Sequence, residues 1–138
     1  MTYVTENEKK IILSDLLISG DIEKEKFKTI VSKSKELFGI GEITGCIEFY
    51  NDYSVSNKIL LFLIGKHFAK LLNIIQSDRF TLSDISDGIY VKITSITKPL
   101  TSLTKENIIC KEKENYFLYS IRDYKINEII DKIYSKIK

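Results

Sequence analysis

At 138 residues and a formal net charge of +2, the chain is long enough for one compact domain with its own core, and too nearly neutral for charge alone to mark a nucleic-acid binder. A hydrophobic share of 43% and a charged share of 29% belong to an ordinary folded protein and exclude wholesale disorder. The longest apolar run, residues 59–64, falls far short of the roughly 20 residues that a membrane-spanning helix needs, so no membrane contact is expected.

The opening residues MTYVTENEKK lack the basic start and small-residue cleavage site of a secretory leader, which predicts a cytoplasmic location. Thr5 with Glu8 makes a capping box for a first helix, whose apolar stripe Ile11, Ile12, Leu16 and Leu17 ends at Gly20. Asp21 is placed to cap a second helix, with Phe27, Ile30, Val31, Leu37 and Phe38 on one side and Gly39 as its stop. Residues 43–50 read as a short strand running into the turn pair Asn51 and Asp52. Ser54 or Ser56 caps a third helix that extends to about Gln76; its stretch KILLFLIGKHFAKLLNII is apolar on more than one side, which predicts a central, buried position.

Residues 81–121 carry the most information. Thr81 caps a helix over 82–89, with Asp84 closing the box, and Gly88, Ile89, Tyr90 and Val91 make a turn into a second helix over 93–105. Ile85 and Ile89 face inward, Val91 plugs the turn, and Ile96, Leu100 and Leu103 anchor the second helix. Asn107 is suited to a left-handed position after it. Residues 108–111 and 116–121 then pair as strands around a charged tip at 112–115, and Asp123 caps a last helix striped with Ile126, Ile129, Ile130, Ile133, Tyr134 and Ile137. Two departures strain this pattern. Gly88 and Tyr90 stand where a helix former and a glycine are more usual, predicting a loose turn, and Pro99 removes a backbone bond inside a helix, at roughly 3 kcal/mol if uncompensated.

Helix, turn, helix and hairpin in this order spell a winged helix-turn-helix, so the predicted fold is α+β and mainly α. An N-terminal extension of two helices and a short strand occupies 1–56, and the winged helix with its C-terminal helix occupies 57–138. The outward face of the helix over 93–105, with the residue before it, consists of Lys92, Thr94, Ser95, Thr97, Lys98, Thr101, Ser102 and Lys105, with no acid before Glu106. Hydroxyls and lysines of this kind bond phosphates and base edges, and Lys111, Lys113 and Asn115 of the wing are placed to add backbone contacts. Glu112 and Glu114 beside those lysines should keep the wing's pull on phosphate modest. Charge divides in the same sense: residues 1–57 hold seven lysines against ten acids, and residues 58–138 hold fourteen bases against nine acids, or −3 and +5.

The run from Thr81 to Ile121 resembles the winged-helix domains of small prokaryotic transcription regulators of the MarR, ArsR and TrmB-like group. It is also similar to archaeal regulator-like proteins in which a two-helix and strand region precedes the winged helix. The resemblance implies that residues 93–105 read the major groove of double-stranded DNA while residues 111–115 touch the backbone or minor groove. A homodimer is expected, because one recognition helix spans too few base pairs for useful specificity. Its surface is either the final helix or the N-terminal helices. The alternative is a winged helix that contacts protein within a larger assembly, for which the acidic N-terminal half would suit a basic partner. No catalytic set, metal site or cofactor is expected: Cys46 and Cys110 are 64 residues apart and read as semi-buried thiols, and His67, the single histidine, has no Ser, Cys or acid beside it.

Overall fold

The computed structural model describes residues 4–16 and 20–137. Helix α1 (Glu6–Leu13) begins where the Thr5 hydroxyl accepts a hydrogen bond from the Glu8 N–H at 3.1 Å. Only this half of the expected capping box forms, since the Glu8 carboxylate stays in solvent. The helix passes into a 3-10 turn (Ser14–Leu16) instead of running on to Gly20, and Leu17 of the expected stripe lies outside the described residues. α1 buries none of its residues; Ile11, Ile12 and Leu16 stand in water.

Helix α2 (Gly20–Leu37) is already helical one residue before the proposed cap Asp21, whose side chain lies outside the described residues. Ile30, Ser34 and Leu37 are buried, whereas Phe27 and Val31 remain exposed, so only part of the predicted stripe packs. Phe38 is not the end of this helix. It opens strand β1 (Phe38–Ile40), which pairs antiparallel with β2 (Ile47–Phe49) in the register Phe38↔Phe49 and Ile40↔Ile47. Gly39 therefore sits in a strand instead of stopping a helix, and Ile43, expected in the strand, projects from the connecting turn at 91% exposure. Strands this short carry too little alternation to read in a sequence, and the hairpin exists because both strands lie on the next helix.

That helix, α3 (Val55–Leu71), is capped by Ser54, which accepts from the Asn57 N–H at 3.2 Å; Ser56 lies within its first turn. It buries every residue from Ile59 to Gly65, and Ala69, as expected of a central helix. Gly65 is where the hairpin comes closest: a Cβ there would lie 3.1 Å from the Phe38 ring. α3 ends at Leu71, five residues before the predicted Gln76, because Asn73 takes a left-handed conformation (φ 61°) and turns the chain out of helix.

The winged helix follows. Helices α4 (Leu82–Ile89) and α5 (Ile93–Lys105) keep their predicted bounds, and Asn107 is left-handed at φ 61°, as foreseen. Strands β3 (Ile109–Lys113) and β4 (Phe117–Ile121) pair antiparallel, and a one-residue bridge from Phe80 to Tyr119 adds a third segment that the sequence did not announce. Asp123 opens a 3-10 turn (Asp123–Lys125) ahead of helix α6 (Ile126–Ile137) instead of capping that helix directly. The α6 isoleucines Ile126, Ile129, Ile130 and Ile133 are buried within the chain, and Lys33 of α2 reaches Asp131 of α6 at 2.6 Å. The fold is α+β and mainly helical: a winged helix-turn-helix with an N-terminal extension and a C-terminal helix, closed around one continuous core.

Candidate nucleic-acid interface

Local chemistry sets α4 firmly. The Thr81 hydroxyl accepts from the Asp84 N–H at 3.1 Å and the Asp84 carboxylate accepts from the Thr81 N–H at 3.3 Å, completing the capping box. Ile85 and Ile89 are fully buried on its inner side. The turn that follows is tight, contrary to the expectation from Gly88 and Tyr90. The Val91 N–H donates to the Ser86 carbonyl at 3.2 Å, and the Ser86 hydroxyl returns a bond to the Val91 carbonyl at 2.5 Å. Gly88 is required by packing, since the Phe62 ring of α3 occupies the space its Cβ would fill. Tyr90 closes the helix in a left-handed conformation at φ 57°, ψ 41°.

Ile96, Leu100 and Leu103 pin α5 against the core. α5 runs through Pro99 as one helix, so the proline does not divide it into two segments. Lys92, Thr94, Ser95, Thr97, Lys98, Thr101, Ser102 and Lys105 are all exposed. At 100° per residue, spacings of four, three and four place Thr94, Lys98, Thr101 and Lys105 on one outward stripe roughly 16 Å long, with Ser95 and Ser102 along one flank and Thr97 along the other. Lys92 is the N-cap and supplies no side-chain cap, and no acid lies in the first turn, so the positive end of the helix is left to external anions.

The hydroxyls of this face are not equivalent. Thr97 donates to the Ile93 carbonyl at 3.0 Å and Thr101 to the Thr97 carbonyl at 2.8 Å, which commits both hydrogens to the helix and leaves lone pairs outward. Those two threonines are built to accept, as from the exocyclic amine of a base, while phosphate demands a donor. Thr94, Ser95 and Ser102 make no such bond among the described residues and keep their hydrogens available.

In the wing, the pairing Lys113↔Phe117 moves the tip to residues 114–116. Lys111 and Lys113 therefore lie on β3, not at the tip, and only Asn115 of the three predicted wing residues occupies the tip itself. Both lysines rest on Phe117, with Lys111 Nζ 4.1 Å and Lys113 Nζ 5.5 Å from the ring centroid. Glu112 and Glu114 face a partner that sequence reasoning missed: Arg79 Nη1 lies 2.6 Å from Glu112 and 3.6 Å from Glu114. Arg79 takes both carboxylates, so among the described residues Lys111 and Lys113 form no ion pair with Glu112 or Glu114, and the wing is less self-cancelling than its own sequence implies.

Away from this surface, the chain's turn after α3 brings Asp78 to His67, with 3.0 Å between Oδ2 and Nδ1, and Lys70 approaches Oδ1 at 3.6 Å. His67 thus does have an acid beside it in space. Burial raises the Asp78 pKa, but the hydrogen bond from His67 and the charges of Lys70 and His67 outweigh it, so the net displacement is downward. Cys110 and Ser120 line the same shallow cavity, of about 260 Å³, but the group has the make-up of an ion-paired staple at the end of α3. Cys110 is half-buried and Cys46 exposed, and both thiols are free. Among the described residues, no group of three or more His, Cys, Asp and Glu side chains is placed to hold a metal ion, and no helix is long and apolar enough to cross a membrane.

No protein-family model matches the chain, and no curated protein is significantly similar to it in sequence. Among solved structures, a MarR family transcriptional regulator from Streptomyces coelicolor is similar at 19% identity, covering 82% of this chain and 74% of that one, with a TM-score of 0.36.

Proposed function

We propose that the chain is a winged-helix transcription regulator that binds double-stranded DNA, with α5 in the major groove and the short wing against the flanking backbone. The supporting observation is the α5 surface. Eight exposed hydroxyl and lysine side chains, unbroken by an acid, sit on a helix whose opposite side is locked by Ile96, Leu100 and Leu103. A helix fixed in this way presents its outer stripe as a rigid unit, as groove reading demands. Thr94, Ser95 and Ser102 supply hydroxyl donors, Thr97 and Thr101 supply acceptors, and Lys92, Lys98 and Lys105 supply charge. Lys111, Lys113 and Asn115 of the wing act on phosphates, while Arg79 offsets Glu112 and Glu114.

The protein works as a homodimer in this reading, so that two copies of α5 address half-sites one helical turn apart, about 34 Å. Ile126, Ile129, Ile130 and Ile133 of α6 are buried inside the chain, and the contact between copies in this reading is the exposed apolar set Ile11 and Ile12 of α1 with Leu16 of the turn after it. A second reading, a winged helix that contacts protein within an assembly, draws on the exposed aromatics Tyr116 and Phe117 at the wing.

Titration of random duplex DNA at two salt concentrations separates the two. Counterion release makes the logarithm of affinity fall linearly with the logarithm of salt, and Lys92→Ala with Lys98→Ala should reduce that slope by about 2 without moving the melting temperature. Ile96→Ala, by contrast, should cost about 2 to 4 kcal/mol of stability, because the side chain is fully buried. Absence of duplex binding at low salt overturns the DNA reading, and a double lysine variant that binds like wild type overturns the assignment of α5.

A further inference from the structure

Tyr90 carries a side chain that the chain's own stability does not explain. It is a bulky aromatic at φ 57°, a region that disfavours side chains with a Cβ by roughly 1 to 2 kcal/mol and that glycine enters freely. Its side chain gives nothing back to the fold. At 91% exposure it makes no hydrogen bond and no ring contact among the described residues. The turn needs a left-handed backbone here, because the Tyr90 N–H closes α4 on the Ser86 carbonyl and the Val91 N–H returns to the same carbonyl at 3.2 Å, but nothing in it needs a tyrosine side chain. A bulky side chain at a left-handed position that neither packs nor bonds within the chain is a liability unless something outside the chain uses it.

Its place says what that something is. Tyr90 precedes Lys92, the N-cap of α5, by two residues, and Ile93, the first residue of α5, is itself 43% exposed. The left-handed turn thus projects a phenol at the leading end of the proposed recognition helix, beside a lysine. Among nucleic-acid features, the sugar–phosphate strand bordering the groove matches this pair of groups: an apolar ring face suits a deoxyribose, a phenolic O–H donates to a phosphate oxygen, and an ammonium neutralises it.

We propose that Tyr90 is a DNA-backbone contact that fixes the depth and register of α5 in the groove, kept at this turn at the expense of fold stability. This rests on the duplex-DNA reading above and adds to it a positioning residue outside α5 and the wing.

The test is a set of three full-length proteins, wild type, Tyr90→Gly and Tyr90→Phe, each melted and each titrated against duplex DNA across salt. Tyr90→Gly should melt higher than wild type, because glycine relieves the left-handed strain, while binding DNA about tenfold more weakly, a change of about 1.4 kcal/mol. Its salt slope should match that of wild type, since no charge is removed, whereas Lys92→Ala should lower the slope by about 1. Tyr90→Phe should fall between the two, having lost the phenolic donor and kept the ring. A glycine variant that binds as tightly as wild type overturns the proposal. So does one that melts lower and binds more weakly in parallel, because Tyr90 would then be a structural residue. If wild type itself fails to bind duplex at low salt, the DNA reading falls first, and the proposal with it.

Discussion

At the scale of single residues, the contact between His67 and Asp78 shows how a turn creates a pair that sequence spacing hides. The two are eleven positions apart, and they meet because Asn73 ends α3 in a left-handed conformation and sends the chain back along its last turn. The Asp78 carboxyl is held below its usual pKa in the folded chain, so the ionised form is favoured there more than in the unfolded chain. Its contribution to stability is therefore present above the unfolded value, near 4, and is lost as pH falls through the folded value. Asp78→Asn should destabilise the protein by about 1 to 2 kcal/mol at pH 7, measured by urea unfolding, and the difference from wild type should shrink at pH 3. A deficit that stays constant across that range would show that shape, not charge, ties residue 78 to α3.

At the scale of elements, Gly88 sets two effects against each other. Replacing it with Ala improves helix propensity by about 1 kcal/mol in the last turn of α4. The added Cβ, however, falls on the Phe62 ring, itself 2% exposed and wedged edge-on to Phe80 with 5.4 Å between centroids. Overpacking a ring with no room to retreat costs about 1 to 3 kcal/mol, so Gly88→Ala should be net destabilising, with a lower melting temperature as the readout. A neutral or stabilised variant would mean that α3 and α4 shift apart without difficulty. The same elements show what was legible from sequence. The cap of α4 follows from the adjacent Thr81 and Asp84, and the inward aliphatics of α4 and α5 from helical spacing, so these were readable. The β1–β2 hairpin, the Phe80–Tyr119 bridge and the closeness of Gly88 to Phe62 depend on residues brought together only by the fold. The outward face of α5 was legible as a set of side chains, but the division of its hydroxyls into donors and acceptors was not, because it depends on which threonines bond back to their own helix.

At the scale of the whole molecule, the uneven use of apolar surface bears on assembly. α6 spends Ile126, Ile129, Ile130 and Ile133 on the core, and its outer residues Asn127, Glu128, Asp131 and Lys132 are exposed and polar. α1 and the 3-10 turn after it do the reverse: Ile11, Ile12 and Leu16 are 70%, 62% and 76% exposed. Ile12 and Leu16, four positions apart, form an exposed ridge that no described residue covers. If a second copy covers it, wild type should sediment near twice the chain mass of 16.0 kDa, and its melting temperature should rise with concentration. Ile12→Lys with Leu16→Lys should then sediment as a monomer whose melting temperature no longer depends on concentration. The winged helix itself should stay folded, since α1 contributes no buried residue to the core. The monomer should still bind random duplex through α5, because non-specific affinity comes from phosphate contacts within each copy, while losing any preference for paired half-sites. A lysine variant that remains dimeric would move the contact to another surface, and a wild type that sediments as a monomer would remove the two-fold arrangement from the proposed mode of binding.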